Sequence, residues 1–503
     1  MQLGINLSPA TYWIQQFPWR NLAAQSEEWR SQNAYWASDG NPWNTGHANA
    51  IPKDTNGYPL ELPYPVAGAA APQVVASLIA RGLDTYPGGE YVCLYDGEGE
   101  IEFSFDASIV SSTPGRIVLN VNPSEGGIHM RIMSSVKGNH VRNIRIVPLA
   151  EESVDVETFP FRQDFLDLID DNFTVVRFMD WQVINGQNEA EGNPVILPSQ
   201  SIGKDHYTQT SSFGVSIYHM IDLCNTLNVR PWFCLPHFAN DDYVKLFAQF
   251  VARNAPPGEC RFELSNEVWN LQFKQAQLAA QYGTALGLAP DSFGAQAKMY
   301  GWRFAQVAEI IRGVFKNHNR ENDLVMVLSG QVVNTYFLEK ALEMPGVAEQ
   351  ADEISVAPYF GGDLGNEAQL AISLGVEGIL NYCETGIAVD LRNHMQANRD
   401  LADQHGLKLS CYEAGQHLVG VGGNVWNEQL TDLFVAANRS PRMRSIYKQY
   451  LEMLEDYCDL VVMYRLVDQP SQWGAWGVVE NQDPLTWPLS PKLVGIKDFL
   501  ESE

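Results

Sequence analysis

From Asn172 onward this chain alternates short apolar runs with long amphipathic stretches, and few folds accommodate that alternation. A short apolar run bounded by polar residues reads as a strand buried on both faces; an amphipathic stretch after it reads as a crossover helix. Thr174 to Met179 is one such strand, followed by a helix with Ile217, Met220, Ile221, Cys224 and Leu227 on one face. Pro231 to Leu235 is the next, followed by a helix that Asp241 is expected to cap and that carries Tyr243, Leu246, Phe247 and Phe250. Phe262 to Ser265, Leu324 to Leu328, Glu353 to Ala357, Lys408 to Tyr412 and Leu460 to Tyr464 continue the series. A long helix is predicted from about Phe293 to Phe315 and a last one near Pro491 to Leu500. Gln2 to Leu7 adds a further strand at the start of the chain. Eight strand–helix units is the count of an α/β fold of the (β/α)8, or TIM-barrel, type. An open doubly wound sheet would need a glycine-rich phosphate turn after an early strand, and none is present.

Between the first and second barrel strands the texture changes. Tyr91 to Tyr95, Glu100 to Phe105, Arg116 to Val121, His129 to Met133 and Asn143 to Val147 are short strand-like runs. Asp96-Gly97, Pro114-Gly115 and Gly126-Gly127 punctuate them as turns. The expected division is therefore residues 1–65 for barrel strand one and a long tryptophan-rich loop, 66–150 for an inserted all-β domain, and 151–503 for the rest of the barrel. The insertion reads as a small sandwich or jelly roll. The loop carries Trp13, Trp19, Trp29, Trp36 and Trp43; most are expected to anchor it, with one or two left to meet a ligand.

Composition removes several function classes. With 33 Lys+Arg against 60 Asp+Glu, the net charge of -27 argues against a nucleic-acid partner and against anionic membranes. No apolar stretch reaches the ~18 residues of a membrane span, and no signal peptide is visible. If Met1 replaces a removed export signal, a secreted or periplasmic protein is expected, and otherwise a cytoplasmic one. Oligomeric state is left open. The seven cysteines show no CxxC spacing and lie mostly in apolar runs, which predicts free buried thiols. The ten histidines form no metal-ligand spacing, and neither a Gly-x-Ser-x-Gly elbow nor a phosphate-binding Gly-rich loop occurs, so no metal and no cofactor are expected.

What remains is a pair of strand-end glutamates. Arg261-Phe262-Glu263-Leu264-Ser265-Asn266-Glu267-Val268-Trp269-Asn270 reads as a buried strand that stops on Asn-Glu, with an aromatic just beyond. Leu409-Ser410-Cys411-Tyr412-Glu413-Ala414-Gly415 ends a later strand on Glu413. Counted as strands four and seven of eight, the two ends face one another across the mouth of a barrel, on the face where barrel enzymes carry their chemistry. A proton donor and a nucleophile placed in this way are the equipment of a retaining glycosidase; a wider separation, ~6.5–9.5 Å, gives inversion.

Here the sequence resembles the clan A glycoside hydrolases, TIM-barrel enzymes with an acid/base Glu ending strand four and a nucleophile Glu ending strand seven. The likeness covers the barrel portion. Ser265-Asn266-Glu267-Val268-Trp269-Asn270 and Trp473-Gly474-Ala475-Trp476-Gly477 are also similar to a group of bacterial proteins labelled cellulose-binding. The resemblance implies that Glu267 is the acid/base and Glu413 the nucleophile. It implies that Asn266 holds a sugar hydroxyl, that Arg177 keeps the nucleophile ionised, and that Tyr359 hydrogen-bonds it. It implies that His237 lines the sugar site and that Trp473 or Trp476 forms its aromatic floor. Asp180-Trp181, Gln331, Asn334 and His417 are further candidates at strand ends. The expected activity is retaining hydrolysis of a β-glycosidic bond in a neutral polysaccharide or oligosaccharide, with a β-glucan as the favoured carbohydrate substrate. The alternatives are a non-catalytic carbohydrate-binding barrel and a barrel lyase that uses one glutamate as base.

Overall fold

The computed structural model describes residues 1–83, 85–185 and 201–502. The chain divides into two compact units, one made of Met1–Ser8, Asp167–Gln200 and Met220–Glu503, the other of Pro9–Leu166 and Ser201–His219.

The first unit holds a closed barrel of eight parallel strands, labelled β1 to β8 in chain order: Gln2–Asn6, Val175–Arg177, Arg230–Leu235, Cys260–Leu264, Leu324–Gly330, Glu353–Val356, Lys408–Ala414 and Leu460–Met463. Each pairs with its neighbour in sequence, and β1 closes the ring by pairing with both β2 and β8. The expected (β/α)8 barrel is the fold. Closure requires tight approach at Gly4, where a Cβ would meet the Val462 side chain at 3.0 Å and Val175 Cβ at 3.1 Å.

Residues alternate between two buried faces, as a strand covered on both sides requires. Trp232 and Cys234 of β3 point into the barrel and join a cluster with Val175, Val327, Tyr412 and Val462. Phe233, between them, points outward and packs edge-on against Phe247 of the helix Asp241–Asn254, with ring centroids 5.2 Å apart. On β4, Phe262 likewise faces outward, against Phe315 of the helix Ser292–Asn317. Removing such a buried aromatic from water contributes about 1.5–3 kcal/mol. The cap of the Asp241–Asn254 helix differs from expectation. Asn240, not Asp241, accepts from the Tyr243 amide at 2.8 Å. Asp241 starts the helix and accepts from Arg303 instead. Both arrangements suit the positive end of a helix, but only the residue with extended backbone can fold its side chain back onto the free amides.

The second unit contains two four-stranded antiparallel sheets. One runs Arg30–Asn33, Gln73–Ile79, Ile128–Ser135, Gly99–Phe105 in spatial order; the other runs Ala107–Thr113, Arg116–Val121, Gly89–Asp96, Arg142–Pro148. Val75, Ile128 and Met130 of the first share one apolar cluster with Tyr91, Leu119 and Ile146 of the second, so the sheets pack as a sandwich. Arg30–Asn33 lies in the stretch read from sequence as a loop, yet it pairs with Gln73–Ile79. Its polar sequence hides it from an apolar-run criterion. Of the five early tryptophans, Trp19 and Trp29 are buried anchors, Trp29 stacked on Tyr207 at 4.6 Å. Trp43, though partly exposed, packs on Phe105 and His129 with ring centroids at 5.8 and 4.7 Å, while Trp13 and Trp36 are exposed.

All seven cysteines are buried and free. Among the described residues no helix is long and apolar enough to cross a membrane.

Candidate functional site

Asn6 on β1 sits directly opposite Arg177 on β2 in the parallel register, so their side chains meet inside the barrel. The Arg177 guanidinium is fully buried. Its Nη1 donates to Asn6 Oδ1 and to Glu413 Oε1, both at 2.9 Å. Its Nε and Nη2 donate to Glu263 Oε2 at 3.0 and 2.9 Å, and Nη2 also reaches Asn266 Oδ1 at 2.8 Å. A cation taken this far from water survives only with counter-charge and a full set of acceptors, and the planar fork of arginine suits several at once.

Glu263 was not singled out by sequence. It is the inward-facing residue below the strand end of β4, and Cys234 stands beside it in register. Besides Arg177 it accepts from Trp232 Nε1 at 3.0 Å and from Ser329 Oγ at 2.6 Å. Glu263 thus holds the arginine that in turn holds Glu413. Truncating one member of such a buried pair strands the other charge, typically at a cost of about 3–5 kcal/mol. Glu263→Ala is therefore expected to lower the urea midpoint by a corresponding amount. A midpoint equal to that of the wild type would refute this account of the arginine's support.

A fault in the sheet supplies the next step. Between β7 and β8 the register shifts, with Cys411 opposite Val461 but Ala414 opposite Met463. Two residues of β7, Tyr412 and Glu413, thus oppose one on β8, the arrangement of a β-bulge. In a regular strand these neighbours would face opposite sides. Here both turn toward Arg177, whose guanidinium lies 5.0 Å from the Tyr412 ring centre while bonding to Glu413. Asn6 Nδ2 fills the disturbed ladder by donating to the carbonyls of Tyr412 at 3.0 Å and Met463 at 3.2 Å.

Glu413 receives a second hydrogen bond on its other oxygen, from the Tyr359 phenol at 2.9 Å. Burial leaves its pKa raised above the usual carboxylate value, and the Arg177 charge and the hydrogen bonds from Tyr359 and Arg177 work against that rise. Glu267 has different company. Asn270 Nδ2 donates to its Oε2 at 2.9 Å and the Tyr412 hydroxyl lies 3.4 Å from its Oε1. Burial, then the negative charge of Glu413, push Glu267 up to about 8. Two carboxyl groups in unequal surroundings divide naturally into one that keeps its proton and one that gives it up.

The backbone at Glu267 is unusual. Ser265 and Glu267 have φ of 66° and 42°, in the left-handed region that side chains rarely adopt. Such conformations persist when neighbours hold them. Gln275 Nε2 donates to the Asn266 carbonyl at 2.9 Å, Gln296 Nε2 to the Val268 carbonyl, and the Ser265 amide to the Leu235 carbonyl at 2.7 Å.

The remaining candidates separate. Trp476 packs among His417, Tyr464 and Tyr359, with centroids at 5.2, 5.7 and 5.9 Å. Trp473 is 60% exposed and meets the equally exposed Trp426 edge-on. Tyr464, directly after β8, is a further aromatic of this group that no strand-end motif marks in the sequence; burial above all, then the charges of Asp180 and Glu413, raise its phenol. His237 is nearly buried beside Phe238, and burial, then Arg303, lower its pKa to about 4. Trp181 is core, packed on Phe178, while burial raises the Asp180 carboxyl next to it. A cavity of about 420 Å³ opens beside Glu267, lined also by Trp269, Asn270, Gln331, Tyr359 and His417. That is within the range of small-molecule sites. Asn334 is not part of its wall.

No sequence family and no curated protein matches this chain. Solved structures do. An alpha-L-arabinofuranosidase from Thermotoga maritima, as its arabinose complex, aligns over 67% of this chain and 63% of its own at 12% identity and TM-score 0.37. An endo-beta-1,4-mannanase double mutant from Cellulomonas fimi aligns over 67% and 66% at 11% identity and TM-score 0.36. A Bacteroidetes-affiliated GH5 cellulase aligns over 68% and 87% at 10% identity and TM-score 0.37. The match spans less than two thirds of the arabinofuranosidase. Overlap at this level assigns neither activity nor substrate.

Proposed function

We propose that the protein is a glycoside hydrolase that cleaves β-glycosidic bonds with retention, Glu267 serving as acid/base and Glu413 as nucleophile. One observation carries the reading: Glu413 takes its two hydrogen bonds from a guanidinium and a phenol, whereas the direct hydrogen-bond donors to Glu267 are a neutral amide and a neutral phenol. The first environment favours an ionised carboxylate and the second a protonated one. In the first step Glu267 gives its proton to the leaving oxygen as Glu413 attacks the anomeric carbon. In the second step Glu267 removes a proton from the water that releases the glycosyl-enzyme. Arg177 offsets the charge of Glu413 before attack, and Asn266, anchored by Arg177 and by Asn185 at 3.2 Å, is set to bond a sugar hydroxyl. Trp476, held against Tyr359, offers a face for the sugar ring. A neutral β-glucan is the proposed substrate, supported by the resemblance of the strand-four and strand-seven motifs alone.

The test is a screen of chromogenic β-glycosides and polysaccharides, with the anomeric configuration of the first product followed by NMR. Release of the β-anomer ahead of mutarotation is expected. An α-anomer as first product would refute the double displacement, and no turnover on the whole panel would refute the hydrolase reading.

A further inference from the structure

The cavity beside Glu267 is lined from one side of the barrel mouth. Its wall comes from segments after β4, β5, β6 and β7; Glu267 belongs to it, whereas Glu413, Arg177 and Asn266 do not. The outer wall is built by a helical run after β6. Tyr382 comes from Ala368–Gly386, Asp390 from the π-helical turn Ile387–Leu391, and His394 from the helix Arg392–His405. A π turn shifts the residues beyond it around the helix axis, and such turns recur at functional sites. Asp363, just after β6, completes this end of the wall.

Charge on that wall is one-sided. No Lys or Arg lines the cavity. Glu377 and Glu384, on the same helical run, are paired with Arg442. Among the described residues Asp363 and Asp390 make no ion pair. Burial, then the charges of Asp363 and Asp390, raise the Tyr382 phenol on the same wall.

A proton donor stands beside the leaving oxygen, so a space lined by the donor and not by the nucleophile is where the departing group lies. We propose that this cavity is the leaving-group subsite, and that Asp363 and Asp390 make it accept neutral or cationic leaving groups and reject anionic ones such as a uronic acid. This rests on Glu267 being the acid of a glycosidase. Selection works by adverse charge as much as by attraction: a carboxylate placed here meets two aspartates and neither a lysine nor an arginine.

Aryl glycosides of one accepted sugar, bearing a trimethylammonium or a carboxylate group on the phenol ring, test this. Intrinsic leaving ability cancels when the cation-to-anion ratio of kcat/KM is compared between wild type and the Asp363→Asn/Asp390→Asn variant, each normalised to its own glycosyl fluoride rate. The ratio is expected to fall about tenfold in the variant, the scale of a few screened charge contacts, and the wild-type ratio to shrink at about 1 M salt. Each single variant should give part of the change. An unchanged ratio in an enzyme that still turns over would overturn the subsite while leaving the glycosidase intact. Absence of turnover by the wild type on any glycoside would overturn both.

Discussion

Glu413→Ala is expected to abolish turnover on every glycoside, whatever its leaving group. The attacking oxygen is gone, and the space it leaves faces an arginine whose remaining acidic partner, Glu263, lies deeper in the barrel. Removal of a covalent nucleophile costs on the order of 10⁶-fold in kcat in other enzymes. Azide, small and anionic, can enter that space from the face opposite the leaving group. With an activated aryl glycoside it should restore turnover and yield the inverted glycosyl azide. Residual activity near that of the wild type, or a rescue product of retained configuration, would remove Glu413 from the nucleophile's role.

Glu267→Ala should fail in a different pattern. A natural glycosidic oxygen needs a proton to depart, so loss of about 10²–10⁴-fold is expected there. A dinitrophenolate needs none, so its glycosyl-enzyme should still form and accumulate, and azide should then give the retained glycosyl azide. The pH profile follows from the same group. The acid works in its protonated form, and burial beside the Glu413 charge pushes it up to about 8. The wild-type kcat/KM should therefore fall as pH rises through that region. Glu267→Ala should lose this basic limb on the activated substrate. A basic limb that survives the substitution unchanged would assign it to another group.

Much of this protein was legible without coordinates. Continuous apolar runs and intervening amphipathic helices are local properties, written in residues that are neighbours in the chain, so the eight strands and their order could be read directly. Strand ends such as Leu264-Ser265-Asn266-Glu267 and Tyr412-Glu413 were legible for the same reason: a buried run that stops on a carboxylate is visible in a handful of residues. Arg30–Asn33 was not, because a strand recruited by pairing needs no apolar signature of its own.

The site itself is a matter of register and of faults in register. Glu263 reads in sequence like any strand residue; only the pairing of β3 with β4 and the long reach of Arg177 make it the anchor of the cluster. Arg177 and Glu413 lie 236 positions apart; the family resemblance implied that they act together, but no local pattern in the chain foretells the 2.9 Å contact. That Tyr412 and Glu413 both face inward depends on one bulge against β8. That Trp476 is packed beside Tyr359 and Trp473 is not depends on how the segment after β8 folds back. The sequence by itself determined which elements form and which polar residues stand at their ends, because those follow from short-range patterns of burial. The tertiary structure alone decided which of those residues meet, since contact between distant strands is set by barrel closure and pairing register, where a shift of one residue turns a side chain to the opposite face.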